Sequence, residues 1–341
     1  MKVLVTGATG TFGHAFTRHV LAFAPGVLLR LMARHEVNLQ RMAQRFVADS
    51  DRLTWILGDV RDRERVDLAM WGVDAVVHAA ALKQVDMVQR NPLEAVKTNI
   101  GGSVNVLQAA LDARVARCLY LSSDKAVEPV NLYGVTKAVG ERLWTSAAEY
   151  TGGRGDQRFA ALRYGNVLGS RGSVVSVWRR QMAEGRPVSV MPEPATRFLL
   201  TPMEAASLAW ELLSKGTIVP GGVYVPYLPT AWLSSLADAV VPEGYPRAAS
   251  EPSAVIEKAH ETLVSIHEWP RATRWYAIGD PGAVQPRGFV LYPHPIAADM
   301  QFIGRLDTAY SSDSPRMSGW LGVAEIRHMI ETIDEAGLLD I

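Results

Sequence analysis

Short apolar runs alternate with longer amphipathic segments through the first half of the chain. Six runs are predicted as strands, namely KVLVT, VLLRLMA, LTWILGD, DAVVHAA, RCLYLSS and FAALRYG. Their continuous apolar character is typical of strands that are covered on both faces. Between them lie helical patterns, such as the segment that begins with Asn91 as predicted N-cap and Pro92 as the first helical residue. This alternation predicts an α/β fold, a Rossmann-like doubly wound parallel sheet.

The pattern changes after Gly165. Proline-rich connections such as EGRPVSVMPEPATRF follow, and a later stretch, IHEWPRATRWYAIGDPG, is rich in Trp and Arg. We therefore predict a Rossmann domain over residues 1–165 and mainly a smaller C-terminal α/β substrate-binding domain over residues 166–341. Later segments are expected to return to the first domain.

Composition and charge narrow the class of partner. The chain has 341 residues, of which 48% are hydrophobic, and its 35 basic residues balance 35 acidic ones. Without a basic patch or an apolar span, we expect neither nucleic acid nor a membrane as partner. Small molecules and further copies of the chain, in a homo-oligomer, are expected instead. The single cysteine, Cys118, lies in an apolar run and is predicted to be a core residue. With no signal peptide visible, a cytoplasmic location is expected.

A glycine triplet directly follows the first predicted strand. In VTGATGTFG, Gly7, Gly10 and Gly13 are three residues apart and open an amphipathic helix. Such glycines let backbone N–H groups approach a pyrophosphate, which lies at the positive end of the helix dipole. Because the triplet stands between a strand and a helix, it predicts a dinucleotide site.

The end of the second predicted strand decides between the two nicotinamide dinucleotides. An acidic residue there would bind the ribose hydroxyls and repel a 2′-phosphate. This chain has Ala33 and Arg34 instead, and a guanidinium can bind that phosphate through paired charge-assisted hydrogen bonds. The sequence therefore favours NADP over NAD. In the alternative interpretation Arg34 is solvated and Glu36 binds the ribose.

Tyr133 and Lys137 form a YxxxK pair on one face of a predicted helix. A neighbouring ammonium can lower the pKa of the phenol and hold the nicotinamide ribose, so the tyrosine can accept a proton from an alcohol that is oxidised. Together with the N-terminal TGxxGxxG, the pair resembles the extended branch of the short-chain dehydrogenase/reductase superfamily. In that superfamily a Ser or Thr before the pair bonds the substrate hydroxyl, and Ser123 occupies this place.

The next two residues, Asp124 and Lys125, point to one family within this superfamily. SSDKAVEPVNLYGVTK, HAAALKQVDMVQRNPLEAVKTNIGGSVNV, RYGNVLGSRGSV and TRFLLT are similar to motifs of the inverting UDP-N-acetylglucosamine 4,6-dehydratases of polysaccharide biosynthesis. The similarity is strong up to about Thr201 and patchy afterwards. It implies a lyase in which hydride leaves C4 of the sugar, water is eliminated from C5 and C6, and hydride returns to C6.

The resemblance also implies a role for each reacting residue. Tyr133 takes the O4 proton, Lys125 is the base at C5, and Asp124 is the acid at the C6 hydroxyl. Lys125 must then lose its proton near neutral pH, which we expect partial burial and the nearby Lys137 to promote. In the alternative interpretation Asp124 and Lys125 are an exposed pair at the end of a strand.

Further site residues follow from matching motifs. Lys83 would reach the sugar nucleotide or the cofactor, Asn166 and Arg171 the phosphate and sugar region of the substrate, and Arg197 the nucleotide. Asn99 either contributes to the cofactor site or bonds nearby backbone. The predicted cofactor-binding set is Gly7, Thr9, Gly10, Thr11, Phe12, Gly13, Arg34, Asp59, Val60, Ala79, Ala81, Lys83, Asn99, Tyr133 and Lys137. The histidines lack metal-ligand spacing, so no metal is predicted, and His260 with Glu261 is expected to shape a substrate lid.

One position departs from the family pattern. The family carries an RPGEK-like segment whose arginine binds the diphosphate, and alignment of VIEKAHE places Ala254 at that position. Four nearby cations are candidates to replace it: Arg247, Lys258, Arg271 and Arg274.

Two other functions remain open from the sequence. A nucleotide-sugar 4-epimerase or a reductase on the same scaffold would use Tyr133 and Lys137 but not Asp124 and Lys125. A non-catalytic NADP-sensing protein would keep the fold without the chemistry, which the retained Tyr133 and Lys137 disfavour.

Overall fold

The computed structural model describes most of the chain. Described are residues 1–150, 156–191, 194–216, 218–249, 256–276, 286–292, 309–314 and 319–338. Ala254 lies outside these ranges.

A large sheet forms the centre of the fold and consists, within the described residues, of nine strands in the order β14-β15-β10-β6-β5-β4-β1-β2-β3. Its strands are β1 (Lys2–Thr6), β2 (Leu28–Ala33), β3 (Leu53–Leu57), β4 (Ala75–His78), β5 (Arg117–Leu121), β6 (Arg158–Leu162), β10 (Val223–Pro226), β14 (Ala272–Tyr276) and β15 (Pro286–Leu291). From β3 to β10 all neighbours are parallel, whereas β15 is antiparallel to both β10 and β14. The six predicted strands and the Rossmann-like α/β class are thereby confirmed.

Helices cover both faces of this sheet, as parallel βαβ connections require. They are α1 (Thr11–Phe23), α2 (Glu36–Arg45), α3 (Arg63–Met70), α4 (Val85–Arg90), α5 (Pro92–Ala95), α6 (Gly102–Asp112), α7 (Leu132–Thr145), α8 (Ala147–Tyr150), α9 (Val174–Ala183), α10 (Pro202–Ser214), α11 (Leu233–Val240) and α12 (Val323–Glu335). Short 3₁₀ turns span Val47–Arg52, Asp124–Ala126 and Trp269–Arg271.

The helical segment predicted to begin at Asn91 does so, with Pro92 in its first turn. The amide of Asn91 does not act as the expected cap, because its Nδ2 donates to the carbonyl of Met87 at 2.9 Å. The helix is also interrupted by a π-helical stretch, Val96–Gly101, before α6 continues. π-Helical stretches inside α-helices are frequent at functional sites.

Short strands from the second half of the chain lie beside the main sheet. They are β7 (Asn166–Val167), β8 (Val188–Val190), β9 (Thr196–Leu200), β11 (Thr230–Trp232), β12 (Arg247–Ala249), β13 (Thr262–Val264) and β16 (Tyr310–Ser311). In the described residues they pair as β11-β9-β7, β12-β8 and β13-β16. Since β10, β14 and β15 join the large sheet, later segments do return to it, while the division at residue 165 stays a prediction.

The core is continuous across the large sheet and its helices. Strand residues such as Val5, Leu29 and Val77 are fully buried, and Trp144 of α7 is buried against the sheet. Cys118 is also fully buried, as predicted, and burial raises the pKa of its thiol. This core fixes the strand ends from which the site is built.

Candidate active site

A cleft of about 680 Å³ opens at the carboxyl ends of the parallel strands. The loops that follow β1, β2, β4, β5 and β6 all contribute to its lining. Ligands of open α/β sheets bind at this edge, where the strand order reverses. The order reverses here between β1 and β4.

The glycine-rich loop fits a dinucleotide. Gly7 has φ +69°, and a Cβ added to it would lie 2.8 Å from the backbone of Ala80. Only glycine therefore lets the loop after β1 pass this close to the loop after β4. Helix α1 follows directly and begins at Thr11, and Gly10 before it has no side chain to cap the helix. The free N–H groups and the helix dipole at this end suit a pyrophosphate.

The end of β2 presents Arg34 to the same cleft. Arg34 is exposed and lines the cleft beside Asp59, whose carboxylate accepts hydrogen bonds from Arg61 at 2.7 and 3.0 Å. Burial opposes ionisation of Asp59, but these bonds outweigh it and lower its pKa. Glu36, the alternative ribose ligand, lies in the first turn of α2 outside the lining.

Most residues that the sequence predicts for the site line this one cleft. They are Gly7, Thr9, Gly10, Thr11, Phe12, Arg34, Asp59, Val60, Ala79, Ala81, Lys83, Ser123, Asp124, Lys125, Tyr133, Lys137, Asn166, Arg171 and Arg197.

Two predicted cofactor residues, Gly13 and Asn99, lie behind the lining. Gly13 packs tightly against the backbone of Ala8. Asn99 is buried, and its amide bonds the backbone of Leu82 at 2.7 and 2.9 Å and the hydroxyl of Thr136 at 3.0 Å. The amide of Asn99 therefore holds the loop after β4, as in the alternative interpretation, and its contribution to the cofactor site stays a prediction.

Helix α7 carries Tyr133 and Lys137 to the cleft. Asn131 caps it by accepting a hydrogen bond from the N–H of Gly134 at 3.0 Å. A Cβ on Gly134 would lie 2.3 Å from the carbonyl oxygen of Lys125, so glycine lets the first turn of α7 pack on the Asp124–Ala126 turn. The four chemically active side chains of the motif are thereby brought to one wall.

The pKa values of Tyr133 and Lys137 are not controlled in the way that the sequence predicts. Burial raises the pKa of Tyr133 to about 12, and the cation that counteracts this rise is Lys125. Lys137 donates to the carbonyl of Leu121 at 2.5 Å, and burial lowers its pKa to about 7. The prediction that Lys137 lowers the pKa of the phenol is wrong because its ammonium is directed to the end of β5 and lies 4.1 Å from the Tyr120 ring centroid.

Lys125 lies between two buried carboxylates. Its Nζ is 3.3 Å from Oδ1 of Asp124 and 3.0 Å from Oε1 of Glu261. Burial lowers the pKa of Lys125, but the two carboxylates outweigh burial and raise it above its usual range. The expectation that burial and Lys137 leave this lysine neutral is therefore wrong for the protein without ligands.

Ser123 organises the same turn rather than standing free for a substrate. Its hydroxyl donates to Oδ1 of Asp124 at 2.8 Å and accepts from the backbone N–H of Lys125 at 3.2 Å. It also forms a side-chain hydrogen bond that lowers the pKa of Tyr133. Its predicted contact with the substrate hydroxyl stays a prediction.

Glu261 is the residue that sequence reasoning missed. The sequence predicts a role in a substrate lid for it, yet its side chain is only 2% exposed and pairs with Lys125. Its neighbour His260 bonds Thr196 through Nδ1 at 2.8 Å. The spacing of EKAHETL offered no signal, because the contact joins segments that are far apart in sequence. Among the described residues no His, Cys, Asp and Glu group suits a metal ion.

The segment around β7 crosses the glycine-rich loop. The backbone N–H of Arg171 donates to Oγ1 of Thr11 at 3.1 Å, and its Nη2 to the carbonyl of Thr9 at 3.4 Å. Arg171 therefore lies where the predicted pyrophosphate site meets the substrate side of the cleft. Oδ1 of Asn166 is buried and has no hydrogen-bond partner among the described residues.

Arg197 forms the far wall of the cleft and is 3% exposed. Its Nη1 donates to the carbonyls of Thr196 at 2.8 Å and Ala259 at 2.9 Å, and its Nη2 to Glu257 at 3.4 Å. Its contact with a nucleotide stays a prediction.

The four cations proposed to replace the family arginine point elsewhere. Arg247 pairs with Asp238 at 2.7 Å, and Lys258 donates to the carbonyl of Val127 at 2.5 Å. Arg271 donates to the carbonyl of Tyr292, and Arg274 lies exposed on β14. They lie outside the cleft lining, which does not favour any of them as a replacement for the arginine, and the replacement stays a prediction.

Within the described part of the chain, none of the helices combines the length and the apolar character that crossing a bilayer requires.

The sheet, the glycine-rich loop and the Tyr-Lys pair of α7 define a protein of the extended short-chain dehydrogenase/reductase class. Residues 3–274 match the model of a family described as polysaccharide biosynthesis protein, and the chain belongs to this family.

Its relatives and structural neighbours agree with this membership. The chain is 36% identical to a UDP-N-acetylglucosamine 4,6-dehydratase (inverting) of Campylobacter jejuni over 77% of each chain. It is 35% identical to a UDP-glucose 4-epimerase of Rickettsia akari over 70% of this chain and 69% of that one. The crystal structure of Pen from Bacillus thuringiensis matches with a TM-score of 0.82 at 31% identity, covering 97% of this chain and 98% of Pen.

Proposed function

We propose that this protein is an NADP-dependent nucleotide-sugar 4,6-dehydratase that acts on UDP-N-acetylglucosamine with inversion at C5. The observation that carries the proposal is that Asp124, Lys125 and Tyr133 line one cleft together with the glycine-rich loop. An oxidation at C4 needs only the tyrosine and the dinucleotide. The additional acid and amine are the groups that an elimination of water requires.

The loop after β1 and Arg34 would hold the dinucleotide, which would supply hydride transfer from C4 and back to C6. Tyr133 takes the proton of O4 as the alcohol becomes a ketone. A pKa of about 12 makes Tyr133 a neutral phenol before the substrate binds, so it must release its own proton to water in the cleft before it takes that of O4. The charge of Lys125 favours the ionised form of this phenol.

The elimination uses the other two groups. The new ketone acidifies the C5 hydrogen, which Lys125 removes, and Asp124 gives a proton to the departing C6 hydroxyl. Positive side chains line the same cleft and would hold the diphosphate, namely Lys83, Arg171 and Arg197. Such contacts are charge-assisted and stronger than neutral hydrogen bonds.

The cofactor part of the proposal can be tested separately. Arg34→Ala should weaken NADP binding by about 1.5–3 kcal/mol, the usual contribution of a hydrogen bond to a charged group. NAD binding should change little, because NAD lacks the 2′-phosphate. Titration calorimetry with both dinucleotides measures this, and Arg41→Ala, an exposed arginine of α2 outside the cleft, is the matched control. If the intact protein bound NAD more tightly than NADP, the assignment of Arg34 would be wrong.

A nucleotide-sugar 4-epimerase is the second candidate, and the relative of that name favours it. The two functions differ in product mass, since only the dehydratase releases water. The purified protein should therefore be incubated with UDP-N-acetylglucosamine, other UDP-sugars and sugars on other nucleotides. A product that has lost one water supports the dehydratase, and a product of unchanged mass supports the epimerase. If the protein removed water only from a sugar carried by another nucleotide, the dehydratase reaction would be supported and UDP-N-acetylglucosamine would be rejected as the substrate.

A further inference from the structure

The inference concerns Glu261, and it rests on the proposed dehydratase function. Glu261 lies behind Lys125 and outside the lining of the cleft, whereas Asp124 and Lys125 line it. The Lys125 ammonium thus has one carboxylate on the substrate side and one on the protein side. Any effect of Glu261 on a substrate must act through Lys125.

The position of Glu261 is fixed by the backbone around it. Its N–H donates to Oγ of Ser312 at 2.9 Å, and its carbonyl accepts from the N–H of Ser312 at 2.8 Å. The hydroxyl of Ser311 donates to the same carbonyl at 3.2 Å. The carboxylate is therefore held against Lys125 by β13 and β16 without help from a ligand.

Each carboxylate of this cluster has one oxygen that forms no hydrogen bond within the described residues. Oδ2 of Asp124 and Oε2 of Glu261 are buried and have no hydrogen-bond partner among the described residues. Leaving a buried polar atom unpaired costs free energy, so such atoms call for an explanation. The unpaired oxygens are explained if these carboxylates take up and release a proton during the reaction.

Charges around Glu261 favour a proton on it. Burial and the charge of Asp124 raise its pKa, while Lys125 and Arg197 act in the opposite direction. Tyr133 faces the same cluster from α7 and interacts with Lys125 and Asp124. Two carboxylates beside one ammonium leave the cluster with a net negative charge, which uptake of a proton relieves.

We propose that Glu261 is a positioning residue that accepts the ammonium proton of Lys125 and so frees the amine for the C5 hydrogen. The N–H bond of Lys125 breaks as an O–H bond forms on Glu261. The neutral amine then takes the C5 proton and becomes an ammonium again, while the electron pair of the C5–H bond enters the enolate.

The remaining steps close the proton balance. Lys125 passes the C5 proton across the 3.3 Å contact to Asp124, which gives it to the departing C6 hydroxyl, so that water leaves. Glu261 then returns its proton to the neutral amine of Lys125. After hydride has returned to C6, the Lys125 ammonium protonates C5 and takes up a proton from solvent, which balances the O4 proton that Tyr133 releases to solvent. The three groups end as they began, an ammonium between two carboxylates.

The first test needs no substrate. An amine-reactive reagent labels only the neutral form of Lys125, so labelling followed by peptide mass spectrometry over a pH series reports its ionisation. Glu261→Gln should move the labelling midpoint down by about one to three pH units, the usual effect of a close opposite charge. Glu257→Gln removes a carboxylate of the same segment that pairs with Arg197 instead, and should leave the midpoint in place. An unchanged midpoint in Glu261→Gln would overturn the inference.

The second test uses the reaction. In heavy water, Glu261→Gln should incorporate deuterium at C5 about 100-fold more slowly, within the range of acid–base contributions. Formation of the reduced dinucleotide at the C4 step should stay as in the unaltered enzyme, which also shows that the variant folds and binds. Glu261→Asp, which keeps a carboxylate, should recover part of the exchange.

Exchange that is unchanged or faster in Glu261→Gln would mean that Glu261 only holds the ammonium, and would overturn the relay. Absence of turnover with every nucleotide sugar in the unaltered enzyme would reject the proposed function instead. The labelling midpoint still decides whether Glu261 controls the ionisation of Lys125 in that case.

Discussion

Two buried clusters among the described residues each have one cation between two carboxylates, and they are built differently. Arg163 donates to both oxygens of Glu141 and both oxygens of Glu268, and its Nη1 also donates to the carbonyl of Leu263. In the Lys125 cluster, by contrast, one oxygen of Asp124 and one of Glu261 have no hydrogen-bond partner in the part of the chain that the structure describes.

The difference lies in location as well as in hydrogen bonding. Arg163 follows β6 and connects α7 through Glu141 to the segment before the Trp269–Arg271 turn, away from the large cleft. Lys125 faces the cleft. Complete pairing is expected of a cluster that holds elements together, and incomplete pairing of one that exchanges protons.

The largest expected effect is on the reaction. Lys125→Ala should lower deuterium incorporation at C5 by about 10²–10⁴-fold, the range of acid–base contributions. Dinucleotide binding should remain because the glycine-rich loop is unaltered, and oxidation at C4 should fall less than the exchange, because Tyr133 is kept but loses the cation that favours its ionised form. Single-turnover absorbance of the reduced dinucleotide and mass spectrometry of the sugar measure the two steps. Full exchange in this variant would remove Lys125 from its role.

The second largest expected effect is on the free energy of unfolding, which should differ between variants of the two clusters. Arg163→Met should lower the free energy of unfolding by about 3–5 kcal/mol, because two buried carboxylates lose their partner. Lys125→Met should cost clearly less, since Glu261, whose pKa is already raised, can take up a proton. Urea unfolding of both variants at neutral pH measures the difference. Equal losses would contradict the division into a structural and a reactive cluster.

The smallest expected effect concerns how stability changes with pH. The contributions of Glu268 and Glu261 to the free energy of unfolding should change with pH in opposite directions. Arg163 outweighs burial and lowers the pKa of Glu268, so this group stabilises the fold above its unfolded pKa of about 4.5 and the contribution is lost as pH falls. The pKa of Glu261 is raised, so its contribution is complete below about 4.5 and is lost as pH rises through the folded pKa.

Glu268→Gln should therefore reduce the loss of stability on acidification, and Glu261→Gln the loss on going from acid to neutral pH. Urea unfolding across a pH series, with the unaltered protein as reference, measures both slopes. The same change of slope in both variants would show that the two carboxylates do not differ as described.

The sequence predicts the parts of the site that are local. The apolar runs predict the strands, and their parallel order brings the loops after β1 and β5 to one edge of the sheet. Gly7 and Lys125 therefore line the same cleft. Tyr133 follows Lys125 closely enough for the first turn of α7 to pack on the turn that carries Lys125.

Long-range contacts are the parts that the sequence could not predict. The ionisation of Lys125 depends on Glu261, which β13 and β16 bring in from the far end of the chain. Burial favours a neutral lysine, and the carboxylates of Asp124 and Glu261 together outweigh it, which corrects the expectation of a neutral Lys125. Arg271 likewise lies in the divergent segment where the sequence suggests a substrate ligand, but the Trp269–Arg271 turn places it outside the cleft lining.

The most direct test of the account is the reaction with UDP-N-acetylglucosamine in heavy water, followed by mass spectrometry and proton NMR of the sugar. The account predicts a product that has lost one water and carries deuterium at C5, and neither change in Lys125→Ala. A product of unchanged mass, or loss of water that persists in Lys125→Ala, would contradict it.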